Sequence, residues 1–269
     1  MVSFPDCKIN LGLHITGKRT DGYHDLETIF YPVKLKDVLE IIPSEKFAFD
    51  VSGLKIDGTT DDNLCVKAFH LLKKDFPSLP DIKIWLHKHI PMGAGLGGGS
   101  ADGAFALKLL NEKFHLNLST HQLIGYASQL GSDCPFFIID KPCFATSRGE
   151  ILETIDLDLS SYVFVIVCPT VHISTAWAFS QISPQRSLNN IKEIILQPIE
   201  RWKYALVNDF EKPVLAKYPE MKKIKEDLYK LGALYASMTG SGSAFYGIFK
   251  KNIFTEKNIF GEKTSVFLV

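Results

Sequence analysis

Pro91-Met92-Gly93-Ala94-Gly95-Leu96-Gly97-Gly98-Gly99-Ser100-Ala101-Asp102 is the stretch on which the reading of this chain turns. Five glycines fall within seven residues, and a helix-like run from Ala104 to Asn111 follows. Lacking a Cβ, glycine visits positive φ and lets a ligand approach the main chain closely. A helix start adds unpaired N–H groups and the positive end of the helix dipole, which together favour an anion. Upstream, Ile82, Ile84 and Leu86 alternate with Lys83, Trp85 and His87, the period of a strand. Strand, glycine loop and helix together read as a phosphate cradle. On the loop alone, a plain flexible turn stays open as the alternative.

Other phosphate loops fit less well. Gly93, Gly95 and Gly98 satisfy G-x-G-x-x-G, but a dinucleotide fold places that pattern early, with an acidic residue about 20 positions on. Here the loop lies a third of the way along, and Glu112 is too close. A P-loop needs Gly-Lys-Ser/Thr, whereas Gly99-Ser100 follows Gly98. Protein kinases need His-Arg-Asp and Asp-Phe-Gly, and neither tripeptide occurs.

The 269 residues suit two compact domains, and 46% hydrophobic content is enough for sizeable cores. Thirty basic residues balance thirty acidic ones, which argues against a nucleic-acid binder. Five cysteines without a C-x-x-C pair suggest reduced thiols, small packing residues in a cytosolic protein. No signal-peptide core is visible, and Tyr162 to Cys168 is far shorter than a membrane span. The expectation is a soluble, cytoplasmic protein without membrane partners. His87-Lys88-His89 puts two histidines on one strand face without a third ligand, so zinc is not expected there.

Patterning predicts strands over 8–15, 26–33, 38–42, 82–86, 162–168, 234–238, 244–249 and 264–269. Helices are expected over 64–76, capped by Thr60 to Asn63, and over 120–130, capped by Ser119 and closed by Gly131. Further helices are expected over 175–181, 191–206 and 219–231. A polar stretch from Asp156 to Ser161 marks a domain boundary, giving domains 1–157 and 158–269. Mixed strands and helices fit an α+β plan.

Beside two other segments, the glycine stretch resembles the central motif of the GHMP kinases, Pro-x-x-x-Gly-Leu-Gly-Ser/Gly-Ser/Gly-Ser-Ala. The first family motif is matched by Cys7-Lys8-Ile9-Asn10-Leu11-Gly12-Leu13, the third by Met238-Thr239-Gly240-Ser241-Gly242-Ser243-Ala244. A narrower likeness lies in Arg19-Thr20-Asp21-Gly22-Tyr23-His24, Asp62-Asn63-Leu64 and Gly131-Ser132-Asp133-Cys134-Pro135-Phe136-Phe137. It points to the branch that phosphorylates the 2-hydroxyl of 4-diphosphocytidyl-2-C-methyl-D-erythritol. Two departures are plain: Pro5 stands one place further from Lys8 than is common, and a C-terminal extension of some relatives is lacking.

The resemblance implies a ribosomal-S5-like N-terminal nucleotide domain and a ferredoxin-like C-terminal domain that completes the substrate cleft. It implies ATP and Mg²⁺ as cofactors and a small-molecule acceptor as partner, and leaves oligomeric state open. Asp133 would orient and deprotonate the acceptor hydroxyl, with Lys8 beside it; otherwise Asp133 is a turn or capping residue and Lys8 a wet strand-edge lysine. Residues Pro91 to Ala101 would hold ATP, with Asn63 and Lys88 near the adenine. Ser100 can cap the helix, contact phosphate or help hold Mg²⁺. Asn10 would bridge Lys8 or the substrate, and Thr239, Gly240, Ser241 and Gly242 would line the substrate site. Tyr23 can stack on a pyrimidine and His24 can read its edge, with Phe179 as the opposite wall or a core residue. A GHMP kinase for homoserine or mevalonate, and a nucleotide-binding protein without turnover, are the rival readings.

Overall fold

The computed structural model describes residues 1–184, 190–251 and 264–269. In chain order the strands are β1 (Val2–Ser3), β2 (Asp6–Lys18), β3 (His24–Lys36), β4 (Val38–Pro43), β5 (Ala48–Gly53), β6 (Ile82–Lys88), β7 (Cys143–Thr146), β8 (Ile151–Thr154), β9 (Tyr162–Pro169), β10 (Tyr235–Met238), β11 (Phe245–Lys250) and β12 (Thr264–Leu268). The helices are α1 (Leu64–Asp75), α2 (Gly98–Lys113), α3 (Thr120–Leu130), α4 (Cys134–Ile139), α5 (Thr175–Ser180), α6 (Ile191–Ile194), α7 (Ile199–Trp202), α8 (Glu211–Lys217) and α9 (Glu220–Lys230). They group into two compact units that interleave along the chain. One comprises Met1–Lys8, Lys34–Met92 and Gly97–Lys141; the other comprises Ile9–Val33, Gly93–Leu96 and Pro142–Val269.

The first unit is built on a sheet of order β1-β4-β6-β5, with β4 antiparallel to β1 and β6, and β5 parallel to β6. Ile82, Ile84, Leu86 and Lys88 share the inner face of β6 and are all buried. Helix α2 packs against α1, α3 and α4 and is apolar almost all round, as a helix enclosed by neighbours must be. A Cβ at Gly103 would stand 2.8 Å from that of Leu64, so the small residue sets how closely α1 and α2 approach. Asn63 caps α1 by accepting from the Cys65 N–H, and Ser119 with Gln122 forms a capping box on α3.

In the second unit the sheet runs β10-β11-β9-β12, antiparallel throughout. Its core joins Val165, Val167, Met238, Phe245 and Phe249 to Val214, Met221 and Leu228 from α8 and α9. The third sheet, β2-β3-β7-β8, includes the two longest strands. No helix among the described residues is long and apolar enough to cross a membrane.

Two sequence expectations change. The single helix over 191–206 is instead α6 and α7, broken at Pro198, which lacks an N–H and biases its predecessor away from helical φ/ψ. Gly131 does end α3, its N–H bonding Ala127 O, but in extended backbone at φ 171° rather than in the left-handed region.

Candidate active site

In the first unit, Lys8 lies near the start of β2 with its side chain 4% exposed, so it is no wet edge lysine. Its Nζ stands 3.5 Å from Asp133 Oδ2, whose side chain is 33% exposed. Asp133 occupies the N-cap position of α4, yet its side chain makes no capping hydrogen bond. The carboxylate is therefore not spent on the helix and faces the lysine instead.

The glycine loop reaches this pair at Gly97, which precedes α2 in the left-handed conformation, φ 72°. A Cβ there would meet Phe137 Cζ at 3.0 Å and Lys8 Cγ at 3.2 Å. Glycine thus lets the start of α2 rest against the stem of Lys8. No side chain caps α2, which leaves the N–H groups of its first turn for an anion. Ser100 lies inside this turn and is not the cap; its hydroxyl is in hydrogen-bond contact with the Cys134 thiol. Burial pushes that thiol up to about 12, so Cys134 is a packing residue without thiolate character. All five cysteines are buried thiols outside any disulfide.

Lys88, expected near the adenine, is enclosed within the first unit. It is 1% exposed, and its Nζ donates to Asp37 Oδ2 and, at 2.6 Å, to Asp102 Oδ2. Asp37 Oδ1 accepts from the backbone N–H of His89 at 2.5 Å and of Ile90 at 2.9 Å. Burial works to lower the Lys88 pKa, but the two carboxylates outweigh it and the amine is held charged. Burial raises that of Asp102, with Lys88 opposing and Asp37 reinforcing the rise. Asn63, the other adenine candidate, uses its side-chain oxygen as the α1 cap.

In the second unit, Thr239 is the hub. Its hydroxyl accepts from the Asn10 N–H at 3.1 Å and lies 3.2 Å from Asn10 Oδ1 and 3.1 Å from the Gly95 carbonyl. Asn10 is 2% exposed and its Nδ2 donates to Thr28 Oγ1, so its amide braces the interior. Gly95, at φ 81°, lies so near Thr239 that a Cβ would overlap the Thr239 carbonyl. Asn208 Nδ2 donates to the carbonyls of Met238 and Gly240, and Ser241 Oγ lies 3.0 Å from Thr175 Oγ1. Residues Gly93 to Leu96 and Thr239 to Gly242 therefore form one braced pair of glycine segments.

Tyr23 is 55% exposed, with the Arg148 guanidinium 5.0 Å from its ring centre. The rings of His24 and Phe179 stack on each other at 4.9 Å and 22°, and Phe179 meets Phe210 edge-on. Phe179 thus packs against the core on one side and backs the imidazole on the other. Thr28, Asp37, Asp102, Arg148 and Asn208 had no role in the sequence reading. Asp102 alone carried a readable signal, a charge among the small apolar residues of the first half of α2.

Comparison with known proteins agrees with this geometry. Residues 63–141 match the GHMP kinases N terminal domain and residues 186–253 match GHMP kinases C terminal. The chain is 53% identical over 253 residues to the 4-diphosphocytidyl-2-C-methyl-D-erythritol kinase of Bacteroides fragilis, covering 93% of this chain and 92% of that protein. It is 46% identical over 263 residues to the protein of the same name from Parabacteroides distasonis, covering 97% of each. A crystal structure of 4-(cytidine 5'-diphospho)-2C-methyl-D-erythritol kinase superposes with TM-score 0.80 at 30% identity, over 92% of this chain and 90% of that one. Mevalonate kinase of Methanococcus jannaschii, at TM-score 0.71 and 14% identity over 100% and 97%, shares the fold alone.

Proposed function

The chain belongs to the GHMP kinase family, and on that premise we propose its reaction: transfer of the γ-phosphoryl group of ATP to the 2-hydroxyl of 4-diphosphocytidyl-2-C-methyl-D-erythritol. The products are the 2-phosphate and ADP, an activated step in the non-mevalonate route to isoprenoid precursors. Both substrates are multiply charged and ATP is a cytoplasmic metabolite, so the reading puts the enzyme in the cytoplasm.

Phosphoryl transfer depends mainly on positioning and on charge stabilisation. The open first turn of α2 and the glycine backbone before it suit the phosphates, their N–H groups donating to phosphate oxygens. Asp133 accepts the hydrogen bond of the acceptor hydroxyl, aims its oxygen at the γ-phosphorus and receives its proton late in a loose transition state. Lys8 keeps Asp133 ionised and polarises the same hydroxyl. Its stem against Gly97 ties the pair to the phosphate loop, and that contact together with the 3.5 Å ion pair is the observation that carries the reading.

The donor set suits a Mg²⁺ ion that arrives on the nucleotide. Such an ion takes its ligands chiefly from phosphate and water, with one or two protein oxygens, and Ser100 offers a hydroxyl in the α2 turn. When bound, the ion neutralises charge on the phosphates. Lys88 borders the nucleotide through its backbone, since its amine has protein partners, and Asn63 lies beside it with its side-chain oxygen engaged as the α1 cap. In the second unit, Tyr23 stacks on the cytosine and His24, held by Phe179, reads its edge. Thr239 to Gly242 line the acceptor side.

The test is ADP release with ATP–Mg²⁺ and the cytidyl acceptor, beside homoserine and mevalonate. Turnover with the cytidyl acceptor alone is the expected result. Turnover with another alcohol would keep the kinase and overturn the reading of Tyr23 and His24; ATP binding without turnover would favour a non-catalytic protein.

A further inference from the structure

Three charged side chains in the first unit have no part in that chemistry, and all are enclosed: Asp37 is 0%, Lys88 1% and Asp102 2% exposed. One ammonium faces two carboxylates, and Asp102 Oδ1 has no hydrogen-bond partner among the described residues. Burying ions is costly, and apolar residues of similar volume usually serve stability as well or better. A core that holds an imperfectly satisfied ion cluster is therefore poorly explained by stability.

Its placement suggests the explanation. Lys88 ends β6, and Asp37 binds the main chain of the next two residues, His89 and Ile90, immediately before Pro91. Asp102 lies in the second turn of α2, immediately after the glycine loop. The cluster thus joins the strand that enters the loop to the helix that leaves it. It does so next to the loop itself, since a Cβ on Gly98 would lie 3.4 Å from Lys88 Nζ and 2.8 Å from Ile90 Cγ2. Glycines at 93, 95 and 97, all at positive φ, give the intervening backbone little stiffness of its own. Directional bonds fix an angle that apolar packing leaves loose.

We propose that Lys88, Asp37 and Asp102 are positioning residues for nucleotide binding: the buried cluster sets the direction in which the first turn of α2 presents its N–H groups to the phosphates. None of the three touches ATP through its charged end. Lys88 acts through Asp37 and Asp102 rather than as a reader of the base. This rests on the kinase reading above.

The experiment compares wild type, Asp102→Asn and the double variant Lys88→Met/Asp102→Leu. Calorimetry measures binding of a non-hydrolysable ATP analogue with Mg²⁺; urea unfolding and steady-state kinetics run in parallel. The double variant leaves the Asp37 carboxylate buried with only its two backbone donors, so it is expected to fold with reduced stability and to bind the analogue about tenfold more weakly, with the KM for the cytidyl acceptor unchanged. Asp102→Asn, which keeps the Lys88–Asp37 pair and guards against misfolding of the double variant, is expected to raise the KM for ATP about threefold with kcat nearly unchanged. Wild-type affinity in a folded double variant, or in a folded Asp102→Asn where the double variant fails to fold, would overturn the inference. A wild type that binds no analogue would instead overturn the kinase reading.

Discussion

Lys8 and Lys88 both stand on strands beside the same glycine loop, and each meets a carboxylate, yet the surroundings set them to opposite work. The Lys8–Asp133 pair is long, 3.5 Å, and its carboxylate is one-third exposed, so water and a substrate hydroxyl can reach it. The Lys88 cluster is tight, closed on every side and bonded to the main chain at the root of the loop. Chemistry needs a group whose partner can be exchanged for substrate. Positioning needs groups that never exchange partners.

The most severe break of this contrast is Asp133→Asn. It should cut kcat about 10³-fold, within the range for a lost proton acceptor, while leaving ATP affinity within about a factor of two, as read by ADP release and calorimetry. Next comes Lys88→Met, which strands two buried carboxylates and should cost about 3–5 kcal/mol in urea unfolding. Lys8→Met makes the complementary case. It should lower kcat about 10²-fold but cost less than about 1 kcal/mol of stability, because Asp133 can still be solvated. A stability loss for Lys8→Met equal to that for Lys88→Met would erase the distinction between the two sites. The smallest effect belongs to the second unit: Tyr23→Ala should raise the KM for the cytidyl acceptor about tenfold and leave that for ATP unchanged, as one base-stacking contact predicts.

The contrast was partly legible in the residues. Lys88 falls on the same face of its strand as Ile82, Ile84 and Leu86, and period two alone places it inward, where a lysine must be paired. Asp102, set among Ala101, Gly103 and Ala104, likewise advertises a buried partner. What the residues could not supply is that these two meet each other and Asp37, because the separations of 14 and 51 positions are closed only by the pairing of β6 with β4 and the packing of α2 on β4. The glycine loop, its flanking strand and the helix were readable because local pattern specifies them, although α2 begins at Gly98 rather than near Ala104. Strands β5, β7 and β8 were not: they are short or half exposed, and pairing rather than hydrophobic alternation defines them. The stacked His24 and Phe179 are 155 residues apart, and only the fold brings the rings together.

The account's central claim is that Asp133, beside Lys8, handles the acceptor hydroxyl while the glycine loop and α2 hold ATP. The most direct test is a rapid-quench single turnover of Asp133→Asn, with ATP–Mg²⁺ binding measured by calorimetry on the same preparation. Wild-type ATP affinity with a transfer rate about 10³-fold slower is the predicted result. A transfer rate within a few-fold of wild type would contradict the account and leave the Lys8–Asp133 pair as a structural bridge.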